Sequence, residues 1–365
     1  MKKILFILHY PPPVHGAAVV GRQIRESTCI NDTFECKYIN LGLSVSINEI
    51  GKGGGQKWIR YFTILRLTIA HLLKYRPDLV YLTLTSYGSG FFKDAIVALL
   101  VKSFRVKVVY HFHNKGVSTR QDRWLDDLVY KLVFRNSDVI LLSPNLYSDI
   151  KKYVPKERVS YCANGVSKEY NRADIPKGEI ENDKVQILFL SNLLKTKGVY
   201  VLLEACQQLK TRSIPFQCTF IGGAGDIPEK EFKEKINLLE LNDSVEYLGK
   251  KYGKEKERAY LLADIFAFPT YNETFGLVIL EAMKYSLPVV STEEGGIPDI
   301  ISDGDTGFLV RPQDAVAFAD KLETLIKDRK LRLCMGKRGR RRFEENYTIE
   351  AFERRFVSIL EKLIY

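Results

Sequence analysis

Two glutamates stand eight positions apart in the stretch ETFGLVILE, at Glu273 and Glu281. A helix that begins near Leu277 would surround Glu281 with apolar side chains. A carboxylate in that setting is costly unless it is paired or accepts strong hydrogen bonds. Vicinal sugar hydroxyls are suitable donors, because one carboxylate can accept from both at once. The pair therefore indicates a site for a sugar-containing ligand, with Glu273 facing a different part of the same ligand.

Phosphate-binding groups are predicted around this pair. The backbone amides at the start of the same helix would face phosphates, and they belong to Thr274, Phe275, Gly276 and Leu277. Lys197 precedes Gly198 just ahead of an amphipathic helix, where a cation and free N–H groups could clamp a diphosphate. Gly16 opens a helix after the first strand in the same way. For Lys197 a solvated surface position is the alternative, and for Gly16 an ordinary turn.

A third group of candidates is the stretch HFHN (111–114). Strand alternation places His111 and His113 on the same side, near the end of a strand. A metal pair would need a third ligand, and none is apparent in the sequence. We therefore expect His113 to hydrogen-bond a substrate hydroxyl and His111 to be structural. The stretch GKGGGQK (51–57) lacks the spacing of a phosphate loop and is interpreted as a flexible, acceptor-facing loop.

Strands and helices alternate along the whole chain. The amphipathic stretches at 58–75 and 199–210 are predicted helices. Such alternation predicts an α/β fold with parallel sheets and helices on both faces, in which ligands bind at the carboxyl ends of strands. The polar stretch at 167–184 has the composition of a linker between two doubly wound domains. The predicted strands are short apolar runs at 3–8, 79–84, 106–112, 138–143, 185–191, 217–222, 265–269 and 287–292.

Length and composition narrow the class of protein. A chain of 365 residues with 45% hydrophobic content predicts two packed globular domains. The N-terminal apolar run is too short for a secretion signal, and no window reaches the ~20 apolar residues that span a membrane. Six cysteines without CxxC spacing indicate neither a zinc site nor a disulfide framework, which fits a reducing cytoplasm.

Positive charge is concentrated in the first half of the chain. Residues 1–180 contain 27 Lys and Arg against 15 Asp and Glu, whereas the remainder contains 28 and 29. A basic half attracts anionic partners, such as phospholipid surfaces, nucleic acid or phosphorylated substrates. A solubilising surface is the alternative interpretation.

The stretch from Pro269 to Val310, PTYNETFGLVILEAMKYSLPVVSTEEGGIPDIISDGDTGFLV, resembles the signature of glycosyltransferase family 4, with its E-x7-E motif at Glu273 and Glu281. The resemblance covers nearly the whole chain, more loosely in the N-terminal half. It implies a retaining enzyme with the GT-B fold, in which two Rossmann-like doubly wound domains face each other across a cleft. The implied acceptor domain is 1–170 and the implied donor domain is 171–349, with the final helix at about 350–365 packing back on the first domain.

The resemblance also implies roles for individual residues. The second glutamate of the motif binds the nucleotide ribose and the first contacts the donor sugar, which assigns these roles to Glu281 and Glu273. Lys197 matches the lysine that binds the donor diphosphate, and Gly16 matches the N-terminal phosphate loop. His113 matches a histidine that assists the reaction near the donor sugar. The implied catalytic residues are thus His113, Glu273 and Lys197.

Three positions depart from the family pattern. Asn192, within the predicted donor site, stands where relatives carry an arginine that shares the diphosphate charge. Either Lys195 or another cation would substitute, or diphosphate binding would be weaker. His15 stands beside Gly16 where a pair of glycines is common, and Ser167 replaces a frequent aspartate. The triplet DGD (303–305) is interpreted as a turn, not as a metal motif. The family pattern implies neither a metal nor another cofactor.

The implied activity is a retaining, hexosyltransferase-type transfer from a nucleotide-sugar donor to a glycan or lipid-linked acceptor. It would serve surface polysaccharide biosynthesis: O-antigen of lipopolysaccharide, capsule or exopolysaccharide. We expect a cytoplasmic protein, at or near the inner face of the plasma membrane, with no nucleic-acid partner. The helix at 58–75, with Trp58, Tyr61 and Phe62, is expected either to touch anionic lipid or to cover the sheet.

Two alternatives remain open. A catalytically silent GT-B protein acting as an assembly partner would fit the missing arginine, although the intact glutamate pair argues against it. An NAD-dependent Rossmann dehydrogenase would need GxGxxG after a strand, and GGAG (222–225) is a poor substitute. The motifs leave the sugar, nucleotide, acceptor and linkage open.

Overall fold

The structure is a computed structural model that describes residues 1–12, 16–43, 55–169 and 184–365. Three features of the sequence analysis lie outside the described residues. They are His15, the glycine-rich stretch up to residue 54, and residues 170–183 of the predicted linker.

The chain forms two units of similar size, each built on a parallel six-stranded sheet. Unit 1 comprises Met1–Gly165 and Ile349–Tyr365, and unit 2 comprises Val166–Thr348. In sheet order, the strands of unit 1 are β2 (Glu35–Asn40), β1 (Lys3–Leu8), β3 (Leu79–Thr83), β4 (Lys107–His111), β5 (Asp138–Leu141) and β6 (Val159–Tyr161). Those of unit 2 are β12 (Gly307–Val310), β11 (Val289–Thr292), β10 (Ile265–Phe268), β7 (Val185–Leu190), β8 (Phe216–Ile221) and β9 (Val245–Tyr247).

Helices connect the strands in the crossover pattern of parallel sheets. Those of unit 1 are α1 (Gly16–Glu26), α2 (Thr28–Thr33), α3 (Gly55–Lys74), α4 (Gly88–Ser103), α5 (Trp124–Phe134), α6 (Tyr147–Ile150) and the C-terminal α14 (Ile349–Ile364). Those of unit 2 are α7 (Val199–Thr211), α8 (Glu229–Leu238), α9 (Gly253–Leu262), α10 (Leu277–Lys284), α11 (Ile297–Ile300), α12 (Ala315–Lys327) and α13 (Arg329–Asn346). The α/β prediction with two doubly wound sheets is confirmed.

The strand order reverses once in each sheet. In unit 2 the reversal lies at β7 and β10, which pair in parallel at Ile187–Ile265 and Leu188–Phe266. Loops that leave neighbouring strands in opposite directions across the sheet open a crevice at their carboxyl ends. The loops after β7 and β10 carry Lys197 and Glu273, which are far apart in sequence.

The C-terminal helix α14 belongs to the core of unit 1. Its Phe352, Phe356 and Leu360 are buried in the same cluster as Phe6 and Tyr81 of the central strands. The ring of Phe356 lies 5.4 Å from that of Tyr81 in an edge-on arrangement. Burial of each such phenylalanine contributes about 1.5–3 kcal/mol, so this packing accounts for the attachment of α14 to unit 1.

Candidate active site

The loop after β7 is shaped to meet the loop after β10. Lys195–Lys197 forms a single 3-10 turn, and Gly198 follows in the left-handed region with φ of 78°. A β-carbon on Gly198 would lie 1.9 Å from the carbonyl oxygen of Pro269, so a glycine is required there. The carbonyl of Thr196 accepts hydrogen bonds from the Tyr271 amide at 2.9 Å and the Thr270 hydroxyl at 3.0 Å. The two loops are thereby held together.

Lys197 and Glu273 form an ion pair at this junction. The Nζ of Lys197 lies 2.9 Å from Oε2 of Glu273 and 2.9 Å from the carbonyl oxygen of Asn272. Each of the two charged side chains is 20% exposed. Partial burial limits solvent screening, so a ligand charge placed here interacts more strongly than on an open surface.

The other oxygen of Glu273 binds the backbone that follows it. Oε1 accepts hydrogen bonds from the amides of Thr274 at 2.8 Å and Phe275 at 3.2 Å. The sequence analysis expected these two amides to face phosphates. In the structure they bind Glu273, since the side chain folds back onto the turn that begins α10, and Gly276 ends that turn with φ of 100°.

A second loop, after β11, contacts the backbone of Glu273 and Thr274. The sequence analysis did not assign a role to this loop. The Glu273 amide donates to Oε1 of Glu294 at 3.3 Å, and the Gly296 amide donates to the carbonyl of Thr274 at 2.9 Å. A β-carbon on Gly295 would lie 2.2 Å from the carbonyl oxygen of Glu273. The sequence signal for this contact was the GG pair in STEEGGIP.

Glu281 meets two donors from α9. Its Oε1 lies 2.7 Å from Nζ of Lys256, and its Oε2 accepts the hydroxyl of Tyr260 at 2.8 Å. The Tyr260 ring is buried and stacks on Tyr285 with centroids 5.3 Å apart. Burial, with the adjacent carboxylate of Glu281, raises the pKa of Tyr260 well above its ordinary value, so its hydroxyl remains a donor.

These contacts explain how an apolar helix accommodates Glu281. The side chain is 24% exposed, and a carboxylate has about four acceptor positions. Two positions are taken by Lys256 and Tyr260, so Glu281 can still accept from a pair of ligand hydroxyls. Sequence reasoning predicted a polar partner for Glu281 and missed these two residues.

The loops after β7 and β8 meet at Asn192 and a pair of glycines, Gly222 and Gly223. The exposed Asn192 accepts the Gly223 amide on its Oδ1 at 3.2 Å. Gly222, with φ of 157°, would place a β-carbon 1.8 Å from the carbonyl oxygen of Ser191. This close approach brings the ends of β7 and β8 together. The amide of Lys195 donates to Asp226 at 2.8 Å.

In unit 1, His111 is fully buried at the end of β4. Its Nδ1 lies 2.7 Å from the hydroxyl of Tyr81, and its ring is 4.2 Å from that of His113. Burial, followed by the effect of His113, lowers the pKa of His111 well below its ordinary value. His113 itself is half-buried and lies in the loop after the strand.

The loop that follows His113 is fastened by Asp149, which the sequence analysis did not identify. Oδ2 of Asp149 accepts the amides of Gly116 at 2.8 Å and Val117 at 3.2 Å, and Oδ1 accepts the amide and hydroxyl of Ser118 at 2.9 and 2.7 Å. A carboxylate bound by three backbone amides holds a loop in one conformation.

The two other assigned features are local. Gly16 is the exposed first residue of α1, and the close approach in this helix occurs at Gly21, where a β-carbon would lie 1.8 Å from the carbonyl oxygen of His9. The DGD triplet forms a turn: Gly304 has φ of 74°, and Asp303 accepts the Leu309 amide at 2.8 Å. Among the described residues, no three His, Cys, Asp or Glu side chains are grouped as metal ligands would be.

The matching family and several of the relatives that this chain resembles are named as glycosyltransferases. Residues 171–342 match the family described as glycosyl transferases group 1. WcaL of Salmonella typhimurium, named as a colanic acid biosynthesis glycosyltransferase, is 27% identical over 268 residues, which are 71% of this chain and 65% of WcaL. N-acetyl-alpha-D-glucosaminyl L-malate synthase of Bacillus anthracis is 29% identical over 74% of this chain and 71% of its own length. The chain therefore spans just under two thirds of the length of WcaL.

The fold has solved counterparts. The crystal structure of HepE from Anabaena in complex with UDP superposes with a TM-score of 0.75 at 18% identity, over 99% of this chain and all of HepE. This likeness shows that the chain has the GT-B fold.

Proposed function

We propose that this protein is a retaining glycosyltransferase of family 4 that moves a hexose from a nucleotide-diphosphate donor to a glycan or lipid-linked acceptor. The observation that carries the proposal is the partly buried Lys197–Glu273 pair at the point where the strand order of unit 2 reverses. Glu281 follows about one turn into α10 on the same loop-helix segment. Lysine, carboxylate and backbone amides are the groups that a sugar diphosphate needs.

Lys197 serves the leaving group in this proposal. Transfer of the sugar leaves a nucleoside diphosphate whose negative charge grows as the glycosidic bond breaks. A fixed cation stabilises that charge most where solvent is partly excluded, as around Lys197. Binding of the diphosphate would compete with Glu273 for the Lys197 ammonium, which frees Glu273 to accept donor-sugar hydroxyls.

Glu281 would hold the ribose of the nucleotide. Tyr260 and Lys256 fix the orientation of its carboxylate before the ligand arrives, so less conformational entropy is lost on binding. For unit 1 we propose, as the family resemblance implies, that Gly16 binds phosphate and that His113 binds a sugar hydroxyl. We propose a front-face, metal-independent route through an oxocarbenium-like state, which needs no protein nucleophile.

The acceptor side of the proposal rests on unit 1. Its excess of basic residues suits a lipid diphosphate acceptor and an anionic bilayer surface. Among the described helices, none has the length and apolar character to cross a membrane. We place the protein in the cytoplasm, in peripheral contact with the inner face of the plasma membrane, where it would contribute to O-antigen, capsule or exopolysaccharide synthesis as the naming of WcaL suggests.

Nucleotide binding is the first test. Thermal unfolding of wild type and Glu281→Ala would be followed with UDP, GDP, ADP and their sugar conjugates. We expect one base to raise the melting temperature of wild type, and the substitution to remove most of that increase. Glu255→Ala is the matched control, because this glutamate is also paired with a lysine at 2.7 Å but on an exposed part of α9.

The competing outcomes are distinct. No stabilisation of folded wild type by any nucleotide would favour the catalytically silent assembly partner. If a donor is found, NMR of the product measures the anomeric configuration of the transferred sugar, and an inverted configuration would contradict the retaining route.

A further inference from the structure

Lys250, in the loop after β9, lies beside Asn192 and Gly223. A β-carbon placed on Gly223 would be 3.4 Å from Cδ and 3.7 Å from Cε of Lys250, and 3.5 Å from Oδ1 of Asn192. The aliphatic part of Lys250 therefore passes over Gly223, next to the Asn192 side chain.

Three other lysines at this side of unit 2 are already paired with carboxylates. Lys197 pairs with Glu273 at 2.9 Å, Lys256 with Glu281 at 2.7 Å and Lys251 with Glu255 at 2.7 Å. Lys250 differs from these three lysines. Its ammonium lies 5.2 Å from the centre of the Tyr252 ring, and it has no ion pair among the described residues.

This difference matters for a ligand with two phosphates. Each phosphate group carries one to two negative charges near neutral pH. The charge of Lys197 is offset by Glu273, so the pair alone contributes little net positive charge to the site. A second cation at the same sheet edge would balance the charge of a diphosphate.

We propose that Lys250 is this second cation. Its side chain comes from the loop after β9 and would take the place of the arginine that relatives carry at the position of Asn192. The proposal rests on the proposed function, because it assigns a partner to the donor diphosphate. Lys195 was the substitute named from sequence. The contact seen for Lys195 is that of its backbone amide, which donates to Asp226 at 2.8 Å, whereas the Lys250 side chain itself lies beside Asn192, so Lys195 is the weaker candidate.

The test compares ligands that differ in phosphate number. Wild type, Lys250→Ala, Lys195→Ala and Lys251→Ala would be titrated calorimetrically with the nucleoside diphosphate selected by the nucleotide panel, the monophosphate and the nucleoside. Loss of one charge-assisted contact should weaken diphosphate binding about tenfold or more in Lys250→Ala. Nucleoside binding should be unchanged. Lys251→Ala is the matched control, since this adjacent lysine faces Glu255.

A rescue experiment makes the assignment specific. Asn192→Arg introduced into Lys250→Ala should restore most of the diphosphate affinity, because a long basic side chain at residue 192 would project into the space that Lys250 serves. Lys250→Gln removes the charge while keeping a polar side chain that is slightly shorter, and should behave like Lys250→Ala.

Three results would overturn the proposal. Equal diphosphate affinity in Lys250→Ala and wild type would remove Lys250 while leaving the proposed function intact. A loss confined to Lys195→Ala would transfer the role to that residue. Wild type that binds no nucleotide at all would remove both this inference and the proposed donor site.

Discussion

The two units share one scaffold and differ in what they display. Each has a six-stranded parallel sheet with a single reversal of strand order. Unit 1 holds 27 Lys and Arg against 15 Asp and Glu, whereas unit 2 holds 28 against 29. Of the large apolar side chains exposed in the described residues, fifteen lie in unit 1 and five in unit 2. The same fold thus presents a basic, apolar surface in one unit and a nearly neutral, polar surface in the other.

The exposed apolar residues of unit 1 are concentrated on two helices that both pack against α4. Tyr61 of α3 donates to the carbonyl of Lys93, and Lys102 donates to the carbonyl of Val133 at the end of α5. We call the outer residues of α3 and α5 the α3/α5 surface. Its members are Trp58, Ile59, Phe62, Leu67, Ile69, Leu73, Trp124, Leu125, Leu128 and Leu132.

This contrast lies at the surfaces of the two units and not in their cores. The sheets of both units are filled by the same kinds of buried aliphatic and aromatic side chains, so the cores do not distinguish the units. Loops at the carboxyl ends of strands distinguish unit 2, and outer helix faces distinguish unit 1. A donor assigned to unit 2 and a membrane-associated acceptor assigned to unit 1 would make use of this difference.

The largest expected effect lies in unit 2. Lys197→Ala should reduce sugar transfer ~10²–10³-fold, because a cation aimed at developing leaving-group charge is removed. The measurement is nucleoside diphosphate release at saturating donor, using the sugar nucleotide found by the binding panel. Lys233→Ala is the matched control, since this lysine forms an exposed pair with Glu229 at 2.7 Å on α8.

Activity of Lys197→Ala within about threefold of wild type would contradict the proposed role, provided that the variant is folded. In that case the Lys197–Glu273 pair would be a structural link between the loops after β7 and β10.

The next effect lies in unit 1. Trp124→Ser combined with Leu128→Ser should weaken binding to phosphatidylglycerol vesicles at least about tenfold, since each large apolar side chain contributes ~1.5–3 kcal/mol on burial. Trp124 is 78% exposed, so the fold should be unaffected. Co-sedimentation with vesicles measures the change. Leu238→Ser on α8 of unit 2 is the control, because Leu238 is similarly exposed at 75%.

The positive charge of unit 1 can be tested in the same vesicle co-sedimentation experiment. Helix α3 contains four Lys and Arg and no acidic residue, so binding should weaken with added salt and with phosphatidylcholine vesicles. Equal binding of wild type and the double variant would show that the α3/α5 surface does not contact lipid.

The sequence analysis predicted the central strands of both sheets and missed the edge strands. All eight predicted strands are present, and the four that were not predicted are β2, β6, β9 and β12, the edge strands of the two sheets. Edge strands are half-exposed and three of these four have only three or four residues, so they lack a continuous apolar run. The signal used to find strands was burial on both faces, which edge strands do not have.

The candidate site shows a similar division. Glu281 was recognisable because its charge conflicts with its apolar neighbours in sequence. Its partners Lys256 and Tyr260 were not, since they lie on another helix and have ordinary sequence surroundings. The same holds for Asp149, which binds the loop after β4 from 31 to 33 residues away in sequence. Conflicts within a segment are visible in sequence, whereas their resolution depends on tertiary packing.

The smallest expected effect separates the units by pH. All five histidines, at positions 9, 15, 71, 111 and 113, belong to unit 1. Burial keeps the pKa of His111 well below its ordinary value of about 6.5. Below pH 6.5, His111 binds a proton in the unfolded chain but not in the folded protein. The free energy of unfolding therefore falls as the pH falls. Between pH 7 and 5.5 this one group should lower the stability of unit 1 by about 1 kcal/mol.

Hydrogen exchange followed by mass spectrometry measures the effect unit by unit. Peptides from the core strands of unit 1 should lose protection on acidification from pH 7 to 5.5, after correction for the intrinsic exchange rate, whereas peptides from the sheet of unit 2 should not. His111→Gln would reduce the pH dependence in unit 1, because this side chain does not titrate, even if the variant is less stable at every pH. Equal loss of protection in both units would show that the histidines do not account for acid sensitivity, and that carboxylates shared by both units do.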